Sequence, residues 1–372
     1  MELAFDKYKA QQFCDNAECQ YYGKIGEDNI RTHSLQHHQV YCNSCKNIWV
    51  ITKGTFFYNL KASVALVLEV LRLLSAGMGL RAVCRTKGVT PDAVGSWLLK
   101  AGDHVHEVTV YLERDMHLTQ CQIDEFWSYI LKKSPAQRRR NRTRRLGDRW
   151  TFVNVLPRSG LIHTVHHGKR TKEEAERFVQ TIKRHSDGEA PLFLSDGWKP
   201  YQDVLESTYS HEEPVPYAGR GRPKHPIRVM DANLKYAQVI KHKQRSRLVD
   251  IEKRVIWGTE EEIVDIIRTE QRGQTINTSY VESRNGNYRK DNKRLARRSA
   301  CQSKAVTLHD AHIDLLTGIY NFVDANQAFR QCINPHAKRF EVKYKKYSSA
   351  MLEGFTDCCL TLEELLMWRV PG

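Results

Sequence analysis

Two close cysteine pairs near the start of the chain, three helical runs after residue 63 and a strand-rich stretch beyond residue 118 predict an α/β protein assembled from several modules. In chain order these are a zinc ribbon (residues 1–56), a trihelical helix-turn-helix domain (57–112), a sheet domain (113–325, interrupted by a β/α insert at about 212–276) and a C-terminal tail (326–372).

Cys14-x4-Cys19 and Cys42-x2-Cys45 flank 22 residues rich in Tyr, Gly and His, enough for a β-hairpin. Each pair can form a turn presenting both sulfurs to one ion, and four thiolates at about 2.3 Å satisfy a structural Zn2+. The first pair is looser than the usual spacing, and His33, His37 and His38 lie between the pairs as substitute ligands. Left unligated, a segment of this size would have almost no core to hold it.

Ser63 opens a helix in which Val64, Val67, Leu68, Leu71 and Leu74 recur at three- and four-residue steps until Gly77-Met78-Gly79 ends it. A shorter helix follows over residues 80–86. Gly88-Val89-Thr90-Pro91 then supplies a turn, an N-cap and a first-turn proline for a third helix over residues 92–101. This is a helix-turn-helix layout, in which the third helix can enter a major groove with Asp92, Ser96 and Lys100 outward. Ser96 and Lys100 are the candidate DNA contacts. A bundle used only for packing or dimerisation fits the same layout, and the adjoining ribbon favours DNA.

Gln122 to Ile130 alternates polar and apolar residues like a strand, and residues 150–156 and 161–166 supply two more, joined by the turn Pro157-Arg158-Ser159-Gly160. Thr171 with Glu174 forms a capping box opening a helix to about residue 185. Pro191-Leu192-Phe193-Leu194-Ser195 is a short buried strand, and a helix follows around residues 201–208. The order β-β-β-α-β-α is that of the ribonuclease H fold. In the insert, residues 236–240 and 249–257 read as strands and 260–268 as a helix; one of these strands can complete the sheet. Residues 281–295 and 305–321 read as helices, and Thr361 with Glu364 as a further capping box.

Asp124 lies inside the first strand of this domain, Asp196 at the end of the fourth and Glu282 at the start of a late helix. Strands one and four are neighbours in a ribonuclease H-type sheet, so these carboxylates converge at one edge. Like charges a few ångströms apart raise one another's pKa, and two Mg2+ (or Mn2+) ions relieve the repulsion. Ions about 3.5–4 Å apart serve phosphoryl transfer by activating the attacking oxygen and stabilising the leaving one. Taken singly, Asp196 is as well explained as a turn residue and Glu282 as a helix-start acid. Asp203 and Glu125 are the nearest competitors for the triad.

The blocks Asp124-Glu125-Phe126-Trp127-Ser128-Tyr129, Ser195-Asp196-Gly197-Trp198-x-x-Tyr201, Ile276-Asn277-Thr278-Ser279-Tyr280-Val281-Glu282-Ser283-Arg284-Asn285 and Arg294-Leu295-Ala296-Arg297-Arg298 occur in that order. Together they resemble the DDE transposases of the bacterial "insertion sequence one" family and its relatives, over most of the chain. The resemblance implies an N-terminal zinc finger and helix-turn-helix that bind the element's terminal repeats. It also implies a ribonuclease H-like catalytic domain that cleaves and joins DNA with divalent metal, with Asp124, Asp196 and Glu282 as the triad. Arg289, two helical turns after Glu282, matches the basic residue that family helices place beside the acid. Ser283 departs from the family pattern, in which many relatives carry Arg directly after the glutamate; here that arginine is Arg284.

The chain of 372 residues carries 58 Lys+Arg against 43 Asp+Glu, a formal net charge of +15, which favours a polyanionic partner. At 41% hydrophobic residues, global disorder is excluded. Seven arginines fall between Arg138 and Arg149, and Arg284, Arg289, Lys293, Arg294, Arg297 and Arg298 form a second tract of candidate DNA contacts. Arg220-Gly221-Arg222-Pro223 resembles a minor-groove core motif but is as well explained as linker. His163, His166 and His167 are read as sheet-edge residues.

No apolar run approaches a membrane span and the N-terminus lacks signal-peptide form, so a cytoplasmic, nucleoid-associated prokaryotic protein without a membrane partner is expected. Ten cysteines suit a reducing compartment. The expected function is a transposase acting on double-stranded DNA, at element ends and target, as a homodimer or higher assembly. A non-catalytic, element-derived repressor and a structure-specific nuclease of the same fold are the alternatives.

Overall fold

A computed structural model describes residues 5–131, 147–215, 225–245, 247–270, 275–296 and 301–371. The chain is mixed α/β and divides into two compact units, residues 1–112 with 307–325 and 356–372, and residues 113–306 with 326–355. Residues 307–325, expected in the sheet domain, and 356–372, expected as tail, thus pack with the N-terminal modules. Among the described residues, no helix is long and apolar enough to cross a membrane.

In the first unit, α1 (Phe5–Lys9) precedes a three-stranded antiparallel sheet of β1 (Ile30–Ser34), β2 (Gln39–Cys42) and β3 (Ile48–Val50). Gln12 accepts from the Trp49 indole at 2.9 Å. Arg369 lies over the rings of Phe13 and Trp49, 4.2 and 5.5 Å from their centroids, and donates to Asp15 at 2.9 Å. The last residues of the chain therefore brace the ribbon.

The helices α2 (Val64–Ser75), α3 (Leu80–Lys87) and α4 (Pro91–Leu112) follow, with Ser63 capping α2 and Gly88 ending α3 in the left-handed conformation. The third helix runs eleven residues past its expected end at residue 101. Its buried stripe continues through Ala101, His104, Val105 and Val108, and Gly102 is a packing position: a Cβ there would lie 2.5 Å from the Ala311 carbonyl oxygen. Glycine inside a helix costs roughly 1 kcal/mol relative to alanine, offset here by close approach of a second backbone.

The second unit is built on a six-stranded mixed sheet. Its strands are β4 (Gln120–Ile130), β5 (Gly147–Leu156), β6 (Leu161–Gly168) and, after α5 (Lys172–Arg184), β7 (Leu192–Ser195). After α6 (Pro200–Thr208) come the small pair β8 (Ser210–Glu213) and β9 (Ile227–Met230), then β10 (Lys235–Gln244) and β11 (Arg247–Trp257). The spatial order is β11-β10-β7-β4-β5-β6. β4, β5 and β6 form an antiparallel meander, β7 lies parallel between β4 and β10, and β11 is antiparallel to β10. Both strands expected in the insert thus extend the main sheet, while β8 and β9 form a sheet of their own.

One face buries Ile123, Phe152, Phe178, Phe193, Tyr201 and Tyr236 against α5 and α6. The other buries Leu192, Leu194, Ala237 and Val239 with Ile263 and Ile267 of α7 (Glu260–Glu270) and with Ile276. α8 (Ser279–Asp291) is shorter than expected, because the Asn292 side chain accepts from the Arg294 N–H and starts a separate 3-10 turn over Lys293–Leu295. α9 (Val306–Gly318) likewise passes into a π turn, Ile319–Val323. The Thr361–Glu364 capping box forms as expected, whereas at α5 Thr171 caps Glu174 N–H while the Glu174 carboxylate turns to His166 and Arg177.

Candidate active site

Register places the acids. Ile123 of β4 pairs with Ser195 of the adjacent parallel β7, so Asp124 and Asp196 follow in the same row of the sheet. Alternation along β4 sorts its side chains. Gln122 donates to the Asn277 carbonyl at 2.8 Å, Asp124 accepts from Asn285 Nδ2 at 2.9 Å, and Phe126 packs on Tyr288, so this face looks at α8. Gln122 also accepts from the N–H groups of Tyr280 and Val281, which fixes the start of α8, one turn before Glu282.

Asp196 directly follows β7, and its Oδ1 accepts from Trp198 N–H at 3.0 Å, an Asx turn leading into α6. Glu282 accepts from Thr278 Oγ1 at 2.6 Å and from Lys241 Nζ through both carboxylate oxygens at 2.5 Å. Burial, followed by the charge of Asp196 and, more weakly, that of Glu282, pushes the Asp124 carboxyl up to about 6 against hydrogen bonds that lower it. Asp124 is thus raised by both other acids, yet the oxygens of the three do not all approach within 4.8 Å; among the described residues only the four cysteines meet that spacing.

Glu125, on the opposite face of β4, is buried. Its Oε2 accepts from Tyr201 OH at 2.9 Å and its Oε1 pairs with the Arg170 guanidinium. That guanidinium lies over Trp150 and Trp198, 5.0 and 4.7 Å from the ring centroids, and 3.8 Å from Asp196 Oδ2. Burial and the charge of Asp196 push Glu125 up to about 7, with Arg170 opposing. The sequence reading missed Arg170, Tyr201, Asn285 and Lys241 as parts of this site. Asn285 carried a signal, one helical turn after Glu282; Lys241 carried none, because its strand was unplaced. Asp203, the other competitor, pairs with Lys172 on the surface.

The basic candidates divide. Arg284 donates to the Gly160 carbonyl at 2.6 and 2.9 Å and to Ser349 Oγ at 3.0 Å, anchoring α8 to the turn after β5. Arg289 lies 5.9 Å from the Phe126 ring centroid. Lys293 is exposed and Arg294 is partly buried, while Arg297 and Arg298 fall outside the described residues. Most of the tract from Arg138 to Arg149, and Arg220-Gly221-Arg222-Pro223, fall there too. In the first unit Ser96 is exposed, whereas Lys100 donates to the Tyr58 carbonyl at 2.6 Å and lies over Phe56. Of the histidines, His163 is fully buried and lowered to about 3 by that burial, and His166 bonds Glu174 at 2.7 Å.

The cysteine cluster lies in the first unit. Cys14 and Cys45 sulfurs are 3.5 Å apart and those of Cys19 and Cys42 3.8 Å, and all four lie within 4.8 Å of one another. A tetrahedron with arms of about 2.3 Å has edges of about 3.8 Å, so the donor set fits a structural metal such as zinc. Burial alone would raise Cys42, but hydrogen bonds from Cys45 and Ser44 N–H groups and Asn29 bring it down to about 6, within reach of a bound thiolate. His33 packs on Tyr41 and His38 on Phe5, and none of the three candidate histidines joins the cluster.

No family model and no curated protein matches the chain.

Proposed function

We propose that the chain is a DDE-type DNA transposase that binds the ends of an insertion element and uses Asp124, Asp196 and Glu282, with divalent metal, to cleave and join DNA strands. The observation that carries the reading is the register of β4 and β7, which pairs Ile123 with Ser195 so that Asp124 and Asp196 follow at neighbouring positions, with Asp124 facing α8, the helix that carries Glu282. The neighbouring first and fourth strands, after an antiparallel meander, support a ribonuclease H-like domain.

The carboxylates fit Mg2+ or Mn2+: they are hard oxygen donors, and Asp124, raised by burial and by the charges of Asp196 and Glu282, is a group that such a cation relieves. When bound, a pair of ions would supply charge stabilisation and an activated oxygen nucleophile for phosphoryl transfer. The chain's own residues orient the donors. Asn285 aims Asp124, the Trp198 N–H fixes Asp196, and Thr278 holds Glu282 while Lys241 neutralises it. Arg170, locked between two indoles, offsets the buried Glu125 and lies beside Asp196. In the same reading the ribbon and helix-turn-helix contact element ends, double-stranded DNA is substrate and target, and two or more copies hold paired ends.

The test is incubation of the purified chain with DNA carrying the sequences that flank its gene, with Mg2+ and a plasmid target. Strand cleavage at the element ends and joining of the freed 3′-hydroxyls is the expected result, abolished by Glu282→Gln. Equal cleavage by Glu282→Gln would overturn the triad.

A further inference from the structure

The hairpin of β10 and β11 reaches beyond the sheet's core. Residues 241–244 are exposed, as are 247–251 opposite them, and Leu248, Val249 and Ile251 expose apolar surface. β10 is the one strand that pairs with β11 among the described residues.

Directly opposed residues of an antiparallel pair share a face. The register therefore sorts the arm's charges. Lys241 opposes Ile251, Lys243 opposes Leu248 and Val239 opposes Lys253, so one face carries three lysines and no acid. On the other face His242 opposes Asp250, Ile240 opposes Glu252 and Gln238 opposes Arg254. There Glu252 bonds both His242, at 3.0 Å, and Arg254, at 2.7 Å, so its charges are compensated. Lys243 and Lys253 make no ion pair among the described residues. Lys241 reaches Glu282, so the lysine face is the one that borders the carboxylates.

We propose that the lysine face of this arm binds the phosphate backbone of double-helical DNA beside the carboxylate site. The proposal rests on the transposase reading and extends it to a surface that the helix-turn-helix and the α8 tract do not include. Lysines two residues apart along a strand stand about 7 Å from one another, and a two-stranded ribbon fits a major groove about 12 Å wide. Leu248 and Ile251, between the lysines, meet sugar or thymine-methyl surface. Ammonium groups here neutralise phosphates and set position without reading bases.

The test compares the full chain with the pair Lys243→Gln/Lys253→Gln and with a control pair, Arg247→Gln/Arg254→Gln, which removes the same charge from the opposite face. Binding of a short random-sequence duplex is followed against salt concentration without divalent metal, with circular dichroism as a check on folding. The lysine pair is expected to weaken binding and to reduce the slope of log K against log salt by about 1.8, at about 0.9 per phosphate contact. The control pair is expected to leave the slope unchanged. An unaltered slope in the lysine pair, equal losses in both pairs, or no duplex binding by the wild type overturns the proposal. So does a lysine pair that changes only the sedimentation of the free protein, which would make this face a contact between copies. Cleavage lost in Glu282→Gln alongside an unaltered slope in the lysine pair would overturn the arm and leave the transposase reading standing.

Discussion

The four cysteines and the three acids bring like groups together by different means. The four sulfurs lie within 4.8 Å of one another; burial favours the uncharged thiol at Cys14, while N–H groups and Asn29 favour the thiolate at Cys42. The three acids stay farther apart, and each is tied to a donor supplied by the chain: Asn285 for Asp124, Arg170 near Asp196, Lys241 and Thr278 for Glu282. A thiol site can be closed by backbone geometry alone. Ionised carboxylates need positive charge close by, which Arg170 and Lys241 supply here.

That contrast can be broken first at the ribbon. Removing metal with a chelator, or Cys42→Ser, is expected to unfold residues 14–50, since binding and folding free energies are one quantity there, on the order of 10 kcal/mol for small zinc modules. Hydrogen exchange confined to that segment would show it; unchanged protection would mean that Arg369 and Trp49 hold the ribbon without metal.

The next largest effect belongs to Arg170. Arg170→Met leaves Glu125 buried without its counter-charge, which costs about 3 kcal/mol, discounted from the usual range because the guanidinium is a third exposed. Urea unfolding of the second unit measures it, and Arg170→Lys is expected to recover part of the loss.

A smaller effect appears with pH. The folded chain holds the Asp124 proton more tightly than the unfolded chain does, so this group's stabilising contribution is present below 3.8 and is lost as pH rises through about 6. Without divalent metal, Asp124→Asn is therefore expected to stabilise the chain by about 1–2 kcal/mol at neutral pH and by nothing below the window. A midpoint unmoved by the substitution at neutral pH would show that Asp124 is not crowded by like charge.

The smallest effect is at Lys241. An exposed ion pair contributes up to about 1 kcal/mol, so Lys241→Met is expected to raise Mn2+ affinity by up to about fivefold, measured by titration calorimetry. No change, or weaker binding, would mean that the lysine does not compete for Glu282.

Much of this molecule was legible in its sequence for local reasons. The β4 alternation, the Ser63 and Thr361 caps and the cysteine spacing are encoded within a few residues of where they act. Nonlocal features were not. The third helix was expected to stop at residue 101, and the Ala311 backbone that packs against Gly102 lies far away in sequence. Arg284, expected as a DNA contact from its charge, donates to Gly160 and Ser349, which lie far away in sequence. Lys241 met Glu282 only once β10 was paired with β7, a parallel register that no local pattern fixes.

The proposed chemistry requires Asp124, Asp196 and Glu282 together to form a divalent-cation site. Titration of the zinc-loaded chain with Mn2+ tests it most directly, comparing wild type with Asp124→Asn at neutral pH while zinc content is monitored. Mn2+ uptake by the wild type and its loss in Asp124→Asn are expected, with zinc retained in both. Equal Mn2+ uptake by the two proteins would contradict it.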